Sequence, residues 1–149
     1  MQKMKTSKIA IGADHAGFEM KSLLISEIEK LGYEVTDFGT DSSDSVDYPD
    51  YVHPLARTIN DGAMDFGVLI CGSANGVAMT ANKHKNVRAA IAWRKDVSAL
   101  ARQHNDANIL CIPARFVNYE QAKEIITTFL STPFEGGRHQ NRVKKISAC

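Results

Sequence analysis

The chain has 149 residues, 44% hydrophobic and 23% charged, and its 18 basic and 17 acidic side chains leave a net charge of +1. A chain this long buries about 68–70% of its unfolded surface, enough for one self-supporting domain over residues 1–149 without a disulfide or metal staple. The balanced charge argues against a dedicated nucleic-acid or membrane-surface protein.

Short apolar runs alternate with helical patterns along the whole chain. The first run, Lys8–Ala13, follows a polar, basic extension over Met1–Ser7 that has neither the apolar stretch of a signal peptide nor that of a membrane span. Leu24, Ile28 and Leu31 then recur at helical spacing up to Gly32. Glu34–Phe38 reads as a second strand, and Gly39–Asp50 is an irregular stretch long enough to be a functional loop. Pro49 and Pro54 bracket the start of a helix that ends near Asp61-Gly62. A third strand, Phe66–Cys71, runs through Gly72–Gly76 into a helix from Val77 to about His84.

Arg88–Ala92 and Asn108–Pro113 supply the last two strands. Between them, Val97, Leu100, Ala101 and His104 mark one helix face. Ala122, Ile125, Ile126, Phe129 and Leu130 mark the final stripe, with Asn118 and Gln121 placed as a capping box. Five strand–helix units predict an α/β, Rossmann-like three-layer domain around a five-stranded parallel sheet, with the expected strand order 2-1-3-4-5. Ligands of such sheets bind beyond the strands' carboxyl ends, where the order reverses. That rule selects Asp14–Gly17 and Gly72–Gly76.

Charge is unevenly spread. Eight acids and one base lie between Glu34 and Asp65, whereas Arg138, Arg142, Lys144 and Lys145 crowd the C-terminus. Three cysteines, Cys71, Cys111 and Cys149, fit neither a zinc site nor a disulfide framework and read as reduced thiols in a cytoplasm. No Walker A loop or GxGxxG fingerprint is present, because Val77-Ala78 follows Gly76 and Phe18-Glu19 follows Gly17.

Gly72, Ser73, Ala74, Asn75 and Gly76 form a small-residue loop that is either an anion or oxyanion cradle or a plain turn. Cys71 directly before it is either a buried inert thiol or, facing a helix N-terminus, a thiol of lowered pKa able to act as a base. The arginine a cysteine phosphatase needs six residues on is replaced by Val77, which favours base over nucleophile. Asp14-His15 pairs a carboxylate with an imidazole, unless Asp14 merely caps the following helix. His104 is either a core histidine or a general acid at a helix C-terminus. Arg138 and Arg142 share a face if their segment is helical and could clamp a phosphate; otherwise they belong to a solvated tail. A thiol base, an oxyanion loop, an imidazole acid and an arginine pair suit cofactor-free proton transfer on a phosphorylated small molecule.

These residues resemble the type B ribose-5-phosphate isomerases, within the wider group of sugar-phosphate isomerases that act on ribose, allose or galactose phosphates. The resemblance runs from about Lys8 to Ile146. It is carried by Ile11–Gly17, Asp47-Tyr48-Pro49, Cys71–Gly76, Ala81-Asn82-Lys83, Arg102–Asp106 and Gly136–Arg142. It implies a Rossmann-like subunit in a homodimer or tetramer, with active sites shared between subunits, no metal and no cofactor. The C-terminal segment 136–149 would pack on a partner subunit.

In the resemblance Cys71 is the base, the Gly72–Gly76 backbone holds an enediolate oxygen with help from Ser73, and His104 opens the sugar ring. Asp14, Tyr48 and Asn105 contact the sugar, and His15, Arg115, Arg138 and Arg142 the phosphate. The implied reaction interconverts ribose 5-phosphate and ribulose 5-phosphate. The alternatives are a six-carbon substrate (allose or galactose 6-phosphate) and a non-catalytic phosphate-binding module. Val77 stands where some members carry a glutamate base, which places this chain with the cysteine users. Ala74 stands where many have glycine, and its methyl predicts a negative φ there.

Overall fold

The computed structural model describes residues 7–149, so all of the predicted N-terminal extension except Ser7 lies outside the described residues. Five parallel strands alternate with helices. They are β1 (Lys8–Ala13), β2 (Glu34–Asp37), β3 (Phe66–Cys71), β4 (Ala89–Ile91) and β5 (Ile109–Pro113). The helices are α1 (Phe18–Lys30), α2 (Tyr48–Asn60), α3 (Asn75–Ala81), α4 (Lys95–Asn105), α5 (Tyr119–Ser131) and α6 (Arg138–Ile146). Residues 38–47 form the irregular connection that the sequence marks as a loop.

The sheet order is β2-β1-β3-β5-β4, which corrects the expected 2-1-3-4-5 by exchanging the last two strands. Burial explains the exchange. All five residues of β5 are buried, whereas β4 has three half-buried residues. A strand covered on both faces must be apolar throughout, so β5 takes the inner place beside β3 and the short β4 is left at the edge. Right-handed crossovers then assign the helices. Connections running towards β4 put α2 and α3 on one face; those running back put α1 and α4 on the other, where α5 joins them.

The two-residue period of the strands divides the core accordingly. Ile9, Ile11, Val68, Ile70, Leu110 and Ile112 meet α1, α4 and α5. Ala10, Leu69, Cys71, Ile109 and Cys111 meet α2 and α3. Burial of each large aliphatic side chain contributes about 1.5–3 kcal/mol. Two expected core positions are exposed instead, Leu31 beyond the end of α1 and Leu100 on the outer side of α4. In α4 the buried residues are Ser98, Ala101 and Arg102, one step round from the expected stripe. The Asn118–Gln121 capping box at α5 forms as expected, with both bonds at 2.8 Å.

Close backbone approach explains Gly17. A Cβ there would lie 2.5 Å from the Ile70 carbonyl oxygen, so only glycine lets the start of α1 pack against β3. At the sheet's other end, Arg102 is 7% exposed. It donates to the carbonyls of Thr132 (3.1 Å) and Ala107 (2.6 Å) and to Asp106 Oδ1 (2.9 Å). Those bonds pin the last turn of α4.

Candidate active site

At the carboxyl end of the sheet, Asp14, His15, the 72–76 loop and Arg115 converge around Cys71. Asp14 is 8% exposed, and its Oδ1 accepts the N–H groups of Ala16 (3.0 Å) and Gly17 (3.2 Å). The capping expectation for Asp14 is corrected: its Oδ1 closes a turn ahead of α1 and caps none of the helix's N–H groups, Gly17 holding the N-cap place without a side-chain bond, and Oδ2 accepts no bond among the described residues. His15 Nδ1 accepts the Val46 N–H at 3.2 Å, which ties the 38–47 connection down over this end. The connection is fixed at its start by Asp37, which accepts Gly39 N–H at 2.8 Å and both contacts from buried Lys21, at 2.7 and 2.8 Å.

Cys71 is 5% exposed. Burial pushes its thiol above the ordinary range, and the Asp14 carboxylate adds to the rise; the backbone N–H groups of Val77, Ala74 and Ser73 act against it. The expected lowering is thus corrected. Three N–H groups do face the sulfur, but desolvation outweighs them. Cys111 is fully buried on the same face and carries no such cradle.

Ala74 corrects a second expectation. Its φ is +67°, in the left-handed region that the sequence reading excluded. That conformation costs a residue with a side chain about 1–2 kcal/mol. It turns the chain so that successive N–H groups point towards the sulfur, and the methyl is itself fully buried. Ser73 is exposed, with Oγ accepting the Asn75 N–H at 3.3 Å. Gly72 lies under Arg115, whose Nε would be 3.2 Å from a Cβ placed there. Tyr48, the first residue of α2, lies on Gly76; a Cβ on Gly76 would overlap the ring and meet the hydroxyl oxygen at 2.7 Å.

His104, Asn105, Arg138 and Arg142 are elsewhere. Helix α4 starts at the carboxyl end of the sheet and runs back, so His104 precedes the first residue of β5. Ile109 pairs with Gly67, and Pro113 with Cys71. Four strand residues therefore separate the two levels, about 13 Å at 3.3 Å per residue. One chain does not bring its thiol and this imidazole together.

At that far end a second constellation is assembled. His104 stacks on His139, with ring centroids 4.2 Å apart and planes 12° from parallel, and its Nε2 lies 3.5 Å from Glu135 Oε1. Its side chain is 38% exposed, so it is no core histidine. Burial first, and then the charges of His104 and Arg138, hold His139 below the ordinary imidazole range. The segment from Arg138 is helical, as the arginine-clamp reading requires. Its buried residues His139 and Val143 pack α6 on its own chain, and Arg138 and Arg142 are exposed. Glu135 escapes sequence reasoning because Gly136 and Gly137, both at positive φ, break the helical register that would relate it to His139.

One grouping of three or more His, Cys, Asp or Glu donors close enough to share a metal ion occurs among the described residues: His104, Glu135 and His139. None of their helices, nor any other described one, is long and apolar enough to cross a membrane.

The sequence model of the Ribose/Galactose Isomerase family matches residues 9–146. The chain is 47% identical over 141 residues to the "Probable ribose-5-phosphate isomerase B" of Mycoplasma pneumoniae, covering 94% of this chain and 93% of that one. It is 43% identical to the "Ribose-5-phosphate isomerase B" of Escherichia coli (strain K12), covering 95% of each. Among solved structures, a ribose 5-phosphate isomerase from Thermotoga maritima superposes with a TM-score of 0.94 at 46% identity, covering 97% of this chain and 100% of that one. The ribose-5-phosphate isomerase B of Mycoplasma genitalium, with bound ribulose-5-phosphate, gives a TM-score of 0.93 at 39% identity and 97% coverage of both chains.

Proposed function

The chain belongs to the ribose/galactose isomerase family, and from that premise we propose that it interconverts ribose 5-phosphate and ribulose 5-phosphate by proton transfer. The observation that carries the reading in the molecule itself is the Cys71 thiol seated beneath the N–H groups of Ser73, Ala74 and Val77, with Asp14 beside it. The ribulose-5-phosphate bound to the Mycoplasma genitalium relative supports a five-carbon substrate over the six-carbon alternative.

In this mechanism the Cys71 thiolate removes the C2 proton of the open-chain aldose, and the electron pair passes to the carbonyl oxygen at C1. The N–H groups of Gly72–Gly76 hold the resulting enediolate. The hydroxyl proton at O2 passes to O1, and the thiol returns its proton to C1, giving the ketose and regenerating the thiolate. A buried thiol is a weak acid, so its thiolate is a strong base towards carbon. Tyr48 and Asp14 orient the sugar; Ser73 and Asn75 line the loop. No step calls on a metal or cofactor.

Ring opening is assigned to His104, which lies at the other end of the subunit from Cys71. The proposed enzyme is therefore a homodimer, or a tetramer of such dimers. A two-fold axis would bring the Cys71 end of each copy against the His104 end of the other and so complete two sites. His15 and Arg115 then approach the phosphate from one copy and Arg138 and Arg142 from the other, with Asn105 beside the sugar. The exposed arginine face of α6 is the part of segment 136–149 that meets the partner. Reduced thiols suit the cytoplasm.

Nuclear magnetic resonance in D₂O, with ribose 5-phosphate and a chelator, tests the reaction. Ribulose 5-phosphate should form, with deuterium at C1 to the extent that the Cys71 thiol exchanges its proton with solvent before delivering it. Turnover of allose 6-phosphate alone would change the substrate, and binding of phosphate esters without turnover would reduce the protein to a binding module.

A further inference from the structure

We propose that His15 acts as the neutral imidazole with its proton on Nε2 and couples a bound phosphate group to the position of the strap formed by residues 41–47. Its Nδ1 accepts the Val46 N–H at 3.2 Å. A backbone amide only donates, so Nδ1 carries no proton and the neutral ring keeps its hydrogen on Nε2. The other ring orientation would set a C–H against the amide, and the doubly protonated ring has no acceptor to offer it.

That bond is the strap's one tie. The start of the connection is fixed independently: Phe38 N–H donates to the Ile11 carbonyl (2.8 Å), Thr40 N–H to that of Ala13 (2.7 Å), and Asp37 takes both contacts from Lys21. Its end is fixed by α2, which begins at Tyr48. Among the described residues, the His15 bond is the one hydrogen bond from residues 41–46 to the rest of the chain. Asp44 N–H reaches only Ser42 Oγ, within the strap, at 3.3 Å. A segment so held opens at the cost of that tie. Asp41, Asp44 and Asp47 are exposed and the strap carries no base, so charge does not draw it towards a phosphate.

The consequence for substrate rests on the proposed isomerase reading, in which His15 lies at the phosphate. Nε2 makes no hydrogen bond to the described residues, and its N–H would donate to a phosphate oxygen. A ring that donates its Nε2–H to an anion becomes a better acceptor at Nδ1. Phosphate therefore tightens the Val46 bond, and by the same coupling the held strap tightens the phosphate. The strap runs directly into Tyr48, whose ring lies on Gly76 of the loop. His15 is thus the positioning residue that links the phosphate end of the site to its sugar end.

Two variants separate the two nitrogens. Asparagine places an acceptor where Nδ1 lies and nothing at Nε2; glutamine can place a donor at Nε2 and leaves the Nδ1 position without an acceptor. Without substrate, long-range proton–nitrogen correlation at about pH 8, above the ordinary imidazole value of about 6.5, should show the His15 proton on Nε2, the signal being assigned by its loss in His15→Gln. Exchange of the Val46 amide should be about fivefold faster in His15→Gln, the change one hydrogen bond supplies, and near wild type in His15→Asn. Inorganic phosphate should slow that exchange in wild type and not in His15→Asn. With ribose 5-phosphate, His15→Asn should mainly raise KM and His15→Gln mainly lower kcat, a split that a merely structural loss does not produce. A proton on Nδ1, Val46 exchange unaltered in His15→Gln, or phosphate protection retained in His15→Asn would overturn the proposal. Absence of turnover alongside the expected exchange results would instead overturn the isomerase reading and leave the coupling of His15 to the strap standing.

Discussion

Cys71 and His104 occupy opposite ends of the same sheet. The thiol closes β3, and the imidazole ends α4 just before β5 begins. Parallel strands joined by returning helices enforce this, because a helix that follows one strand ends where the next one starts. In the proposed enzyme each subunit would therefore offer two half-sites, one with the thiol assigned to proton transfer and one with the imidazole and two arginines.

The state of Cys71 leads to the first prediction. Since burial holds the thiol above its ordinary range, alkylation by iodoacetamide, read by mass mapping of the Cys71 peptide, should be slow at neutral pH. Its rate should climb about tenfold per pH unit until beyond about pH 8.5. Saturation at or below neutrality would show that the loop N–H groups outweigh desolvation. Exposed Cys149 serves as the internal reference.

Gly76 separates activity from stability. Alanine at this position in α3 raises helix propensity by about 1 kcal/mol, while its Cβ drives the half-exposed Tyr48 ring off the loop. Gly76→Ala should lower kcat/KM about 10–100-fold, as a displacement near 1 Å does, with thermal unfolding barely changed. Unaltered kcat/KM would remove Tyr48 from the sugar site.

Much of this was legible in the chain. Apolar runs and their helical intervals located the five strands and helices α1 to α5, the ranges of β1 and β3 needed no revision, and α6 was left open between a helix and a solvated tail. Strand order was not legible, since it depends on which of two short runs can be buried on both faces. The loop at Ala74 was misjudged because residue type argues for negative φ, whereas the sulfur's N–H cradle demands the opposite. The buried face of α4 was misread because Arg102, a charged residue, turns inward, satisfied by the carbonyls of Thr132 and Ala107 and by Asp106 while its guanidinium lies over the Phe66 ring 4.9 Å from its centroid. Separation of the candidate residues into two ends follows from topology, which motifs do not encode.

His53 and His84, both outside the proposed chemistry, govern an acid-sensitive contact. His53 Nδ1 and His84 Nε2 are 2.8 Å apart, so one ring must donate and the other accept. Burial first, then the neighbouring His53 and Arg57, lowers the His84 pKa, with Asp61 opposing. The folded chain thus binds this proton less tightly than the unfolded chain does. The contribution is full above the ordinary imidazole value of about 6.5 and is lost as pH falls through it to the lowered folded value. Between about pH 7 and about pH 5 the wild-type Tm should fall more steeply than that of His84→Asn. Parallel curves would assign the acid sensitivity to other groups.

Subunit mixing tests the shared site most directly. Cys71→Ala and His104→Ala should each be inactive alone on ribose 5-phosphate. In a mixed dimer both lesions fall in one site and the other site is intact, so equal amounts after subunit exchange should recover about one quarter of wild-type activity. If exchange is verified by mass and the mixture stays as inactive as its components, the account of a site completed by two copies is contradicted.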